Sequence, residues 1–143
     1  MMKTETKVFY PVARALLGTL FFISGISKIT GFGYVAGWMS SAGLPAAELL
    51  LAITIAIEVL GGLMLITGYK AHIAASVIAL FLVPTTLIFH AFWNADAAGF
   101  QNELTQFLKN LAILGGMLLV IDRERPAIES RVTAAPSRAA KQS

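Results

Sequence analysis

Residues 12–32 read VARALLGTLFFISGISKITGF, an apolar run long enough to cross a bilayer that nonetheless carries Arg14 and Lys28. About 20 mostly apolar residues cover a ~30 Å hydrocarbon core. Working outward, four windows meet that requirement, 8–29, 49–68, 71–93 and 104–121. The chain has 143 residues, 57% hydrophobic and 13% charged, with mean hydropathy +0.74. No soluble interior of this size hides so much apolar surface. The expected fold is all-α: a polytopic membrane four-helix bundle, with a flank over 1–7, a membrane domain over 8–121 and a disordered cytoplasmic tail over 122–143.

Arg14 interrupts the first window and no small-x-small site precedes a polar start, so it reads as a retained span rather than a cleaved signal. The absence of cysteine excludes disulfides, thiol relays and thiolate-held metals. The net charge of +3 is spread over the chain ends rather than over a folded polar face, which argues against nucleic acid. It reads as a topology signal instead. Lys3, Lys7, Lys70, Arg123, Arg125, Arg131, Arg138 and Lys141 fall on one side, whereas the other has Lys28 with Asp96 and Glu103. The rule that positive flanks stay inside predicts both termini in the cytoplasm of a bacterial inner-membrane protein.

Between the first two spans, TGFGYVAGWMSSAGLP is too polar and glycine-rich to cross. Phe32, Tyr34, Trp38 and Met39 suggest a short amphipathic helix lying on the interface as a lid, ended by the Gly43-Leu44-Pro45 turn. Gly68-Tyr69-Lys70 is so short that spans two and three form an antiparallel pair. Pro84 predicts a kink, with Thr85 and Thr86 bonding the freed backbone groups. Trp38, Phe92, Trp93 and Phe100 are expected to form an aromatic belt at one rim.

Arg14, Gly18, Phe21, Gly25 and Lys28 recur at helical spacing, so they share one stripe, and its small residues predict a close neighbour. Fourteen residues separate the two cations, about 21 Å of rise, so they serve different points. Glu58 lies near the middle of span two, where a carboxylate must be paired, protonated or beside water. Arg14 is its expected first partner, either as a register-fixing ion pair or as part of a titrating site. Lys28 is expected to pair with Glu103 or Asp96, to hold a ligand under the lid, or to snorkel. His90, Gln106, Lys109 and Asn110 converge near the same rim, which suggests a polar chamber. The plainer alternatives are an interfacial histidine beside Trp93 and a snorkelling Lys109. His72 and His90 lie about 27 Å apart along one span, so a bis-histidine haem within one subunit is not implied. No metal site, phosphate loop or Ser-His-Asp elbow is recognisable. Gly61-Gly62 and Gly115-Gly116 read as helix contact points.

Arg14, Gly25-x-x-Lys28, the GLP turn at Gly43, Glu58 ahead of its glycines, Gly68, His90-x-x-Trp93 and Lys109-Asn110-Leu111-Ala112 together resemble the DoxX family of small bacterial four-helix membrane proteins. The resemblance covers about residues 10–121, with KITGF, HAFW and FLKN its specific motifs, and is closest to an inner-membrane branch in which an aromatic usually precedes the Lys-Asn pair. Leu108 stands there instead. The resemblance implies a membrane subunit or anchor of a redox-related system, without activity of its own, and marks Arg14, Lys28, Glu58, His90, Lys109 and Asn110 as candidate ligand-binding residues. No intrinsic cofactor is expected, a quinone being the candidate ligand. The expected partners are the lipid bilayer, a redox enzyme and a second copy in a homodimer. The alternatives are a small proton-coupled exporter, with Glu58 titrating, and a purely structural assembly protein.

Overall fold

A computed structural model describes residues 2–134. Among these there are five α-helices and no strand: α1 (Met2–Thr30), α2 (Phe32–Ser41), α3 (Ala47–Thr67), α4 (Ala71–Phe89) and α5 (Phe100–Ala134), with a 3-10 turn over Phe92–Asn94. Four helices, all but α2, are long and apolar enough to cross a membrane. Their order makes them run up, down, up, down, so Met2 and Ala134 lie at one end of the bundle, here the terminal end. The opposite loop end carries α2 and the 91–99 connection.

The pairing of α1 with α3 follows from glycine. An added Cβ at Gly18 would lie 2.6 Å from the Gly62 carbonyl oxygen, and one at Gly62 would lie 2.6 Å from the Phe22 nitrogen. Gly25 is pressed against Val59 and Glu58 in the same way. Backbones this close gain dispersion contacts that lipid chains cannot match. The predicted stripe is therefore a seam, with Phe21 buried between its two glycines. Gly116 meets Leu17, but Gly115 faces open space, so only one glycine of that pair is a contact point.

Small residues also let α4 sit centrally. Ala71, Ala74, Ala75, Ile78 and Leu82 are buried there, packed with Leu65 of α3 and with Met117 and Val120 of α5. Pro84 lies inside α4; Thr85 Oγ1 donates to the Phe81 carbonyl at 2.8 Å, whereas Thr86 turns to a neighbouring helix instead of to its own backbone. The turn from α3 to α4 uses Gly68 at φ +82 and Lys70 at φ +45, both left-handed, which only glycine adopts without strain.

The short helix predicted between spans one and two is α2. It buries Ala36 and Met39 against Leu51 of α3. Trp38 stacks on Phe89, centroids 4.6 Å apart, so it does not join the belt. That cluster consists of Phe92, Trp93, Phe100 and Phe107, all edge-on. A second difference lies at the far end of the chain. The predicted disordered tail from 122 is helical as far as Ala134, where α5 simply continues. Arg and Glu are good helix formers and alternate in sign here, and Tyr10 Oη donates to Glu124 Oε1 at 2.6 Å, tying α5 to α1 beyond the apolar stretch. Residues 135–143 of that tail lie outside the described residues.

Candidate functional site

Among the described residues Glu58 is the charged residue that is buried, and its partner is Lys28. Nζ donates to Oε2 at 2.9 Å, to Oε1 at 3.1 Å and to Ser24 Oγ at 2.6 Å. An ammonium has three donors, and here each has an acceptor. Glu58 is 6% exposed and Lys28 26%, so the pair is withdrawn from the surroundings without being sealed. This corrects two expectations. Arg14 lies at the level of Gly68, ten residues and about 15 Å along α3 from Glu58, beyond the reach of its side chain. Lys28 does not meet Glu103 or Asp96: Glu103 takes His90, and Asp96 Oδ1 accepts the Gly99 N–H at 2.7 Å at the start of α5.

Arg14 therefore belongs to another place. Its guanidinium packs on Gly68, which has no side chain to obstruct it, and over the Tyr10 ring at 5.5 Å. Arg123 approaches the same ring at 5.9 Å. With Glu124 these residues form a polar clasp between α1, α3 and α5 at the terminal end.

The other candidates gather with Lys28 and Glu58. His90 Nδ1 lies 3.0 Å from Glu103 Oε2. A carboxylate only accepts, so Nδ1 carries the hydrogen and Nε2 is left to meet other groups. Asn110 Nδ2 donates to Thr86 Oγ1 at 3.0 Å, and Lys109 Nζ donates to Gln106 Oε1 at 3.3 Å. Lys28, Glu58, His90, Gln106, Lys109 and Asn110 line one cleft of about 410 Å³ with Ser24 and Thr85, and Leu20, Phe21, Phe81, Leu82 and Ile113 give it an apolar wall.

The shape of the cleft comes from two helices that diverge. α1 and α5 touch where Tyr10 meets Glu124 and where Leu17 meets Gly116. Beyond that level they part, and the space between them, flanked by Leu20 of α1 and Lys109 of α5, both exposed, is the cleft. Ser24 was not singled out in the sequence, although its place one turn before Lys28 makes it a natural acceptor. Phe81 and Thr54 were missed as well, because an apolar or hydroxyl residue in a span gives no sign of which face it takes.

Comparison with known proteins adds the family. The DoxX family model matches residues 10–91. The inner membrane protein YqjF of Escherichia coli (strain K12) is 35% identical over 119 residues, 83% of this chain and 86% of that protein. The inner membrane protein YphA of the same organism is 27% identical over 109 residues, 76% and 78% of the two chains. No solved structure matches. With four membrane-length helices, a glycine seam along α1 and a family match over more than half its length, this chain belongs to the DoxX family as a multi-pass inner membrane protein.

Proposed function

We propose that the protein is a membrane subunit or anchor of a redox-related system that binds a quinone-like or other small amphipathic ligand in the cleft between α1 and α5. One observation carries this reading: Lys28, Glu58, Lys109 and Asn110 of α1, α3 and α5, with His90 at the end of α4, converge on a single cavity that is also lined by Leu20, Phe21, Phe81, Leu82 and Ile113. Such a mixture suits a ligand with a polar head and an apolar body. Lys109 gives one proton to Gln106 and has others for a carbonyl oxygen, and His90 Nε2 is available to the same polar head. These side chains bind and orient but do not carry electrons, so the redox step falls to a partner enzyme. The flanking Lys and Arg residues favour an orientation with both termini in the cytoplasm.

Proton-coupled transport is the second reading, favoured by the burial of Glu58 at mid-span beside a cavity. A homodimer suits it, since four helices enclose little of a pathway. Native mass spectrometry of protein gently extracted from its own membrane separates the readings. A small molecule bound to the wild type and lost from Glu58→Gln and Lys109→Met is expected. Identical spectra for all three would sink the ligand reading, and a proton flux in liposomes abolished by Glu58→Gln would replace it with transport.

A further inference from the structure

The geometry points to a site of two compartments, in which a single six-membered ring bearing a hydrogen-bonding oxygen sits beneath α2 while an apolar tail lies in the cleft; this rests on the ligand reading above. Under α2 there is a second cavity, of about 170 Å³. It shares Lys28, Glu58, Phe81, Thr85 and His90 with the larger cleft. Five common residues make the two spaces adjoin along one polar threshold. Beyond that threshold the walls are apolar, supplied by Val35, Trp38 and Met39 of α2, Leu51 of α3 and Phe89 of α4.

Size and shape define what fits. An apolar protein cavity of about 150 Å³ holds benzene, so this compartment of about 170 Å³ seats one ring with small substituents, whereas a fused pair fits more tightly against Trp38 and Met39. Trp38 and Phe89 lie stacked, 28° from parallel, and offer aromatic surface to a planar guest. Apart from Phe81, the rest of the lining is polar, from Lys28, Thr54, Glu58, Thr85 and His90. Of these, His90 presents Nε2 because Nδ1 is committed to Glu103. A ring that carries oxygen, as in a phenol or a quinone, matches that mixture of apolar and polar lining. A tail leaving the ring crosses the threshold into the cleft and runs out between α1 and α5, where they have parted. Trp38 and Met39 then set the size limit for the ring, a role that nothing in the cleft itself fulfils.

The test uses the full chain in lipid nanodiscs. The sequence has two tryptophans, so Trp93→Phe leaves Trp38 as the sole indole fluorophore. A decyl-substituted para-benzoquinone and a naphthoquinone with the same tail are titrated, and quenching beyond that of a tryptophan ester in the same lipid is read. The single-ring probe is expected to quench Trp38 saturably and to bind about tenfold more tightly than the fused one. Met39→Ala enlarges the compartment and is expected to remove most of that preference, with Phe89→Leu as the second variant should the first lose helicity. Equal affinity for both quinones, or saturable binding measured by calorimetry that leaves Trp38 unquenched, overturns the compartment and leaves the ligand reading standing. No saturable binding of either quinone overturns the compartment and, with it, the quinone-like form of the ligand reading.

Discussion

At the scale of single residues, the Lys28–Glu58 pair is where the chain takes its largest electrostatic risk. Each charge alone is costly at this depth, and together they are tolerable because every ammonium proton has an acceptor. Removing one partner should therefore cost far more than removing both. Lys28→Met strands a nearly buried carboxylate and is expected to lower stability by about 3–5 kcal/mol. The double variant Lys28→Met with Glu58→Gln should recover most of that loss, as read by thermal unfolding in detergent and analysed as a double-mutant cycle. Additive losses would mean that the two side chains are not coupled. The sequence made both residues conspicuous, because ionisable groups stand out in an apolar run. It did not reveal that they pair, since rise along one helix says nothing about its register against the next.

At the scale of elements, that register is decided by where the backbone can approach. Gly18, Gly25 and Gly62 fix α1 against α3, and the fit then carries Lys28 to Glu58 and Arg14 to Gly68. Gly62→Ala is expected to destabilise the protein by about 1–3 kcal/mol, because its Cβ would press on backbone atoms that cannot swing aside. Gly115→Ala, in open space on α5, should be neutral or stabilising by up to about 1 kcal/mol. Comparing the two unfolding midpoints in one detergent checks the contrast; equal effects would refute the seam. The helices themselves were legible from apolar length, and α2 from its aromatic and glycine content. Two things were not. A helix that runs on through charged residues, as α5 does past Asp122, has no apolar period to announce it. Twin glycines look alike in sequence, yet Gly116 packs on Leu17 while Gly115 meets nothing.

At the scale of the whole molecule, the bundle is polar at two separate levels, a clasp around Arg14 at the terminal end and the cleft around Lys28 towards the loop end. The basic flanks at the terminal end give a prediction of sidedness. A fluorescent protein that matures only in the cytoplasm should light up when fused after Ser143, and alkaline phosphatase inserted in the 94–99 connection should be active. The reverse pattern would overturn the proposed cytoplasmic placement of both termini. The divergence of α1 and α5 has a further consequence. Because the cleft lies between two helices of membrane length, the proposed ligand would be drawn from the bilayer and not from the aqueous phase. Occupancy is then governed by the mole fraction of ligand in lipid. Diluting the membrane with more lipid empties the site even when the total concentration of ligand is unchanged, and adding buffer does not.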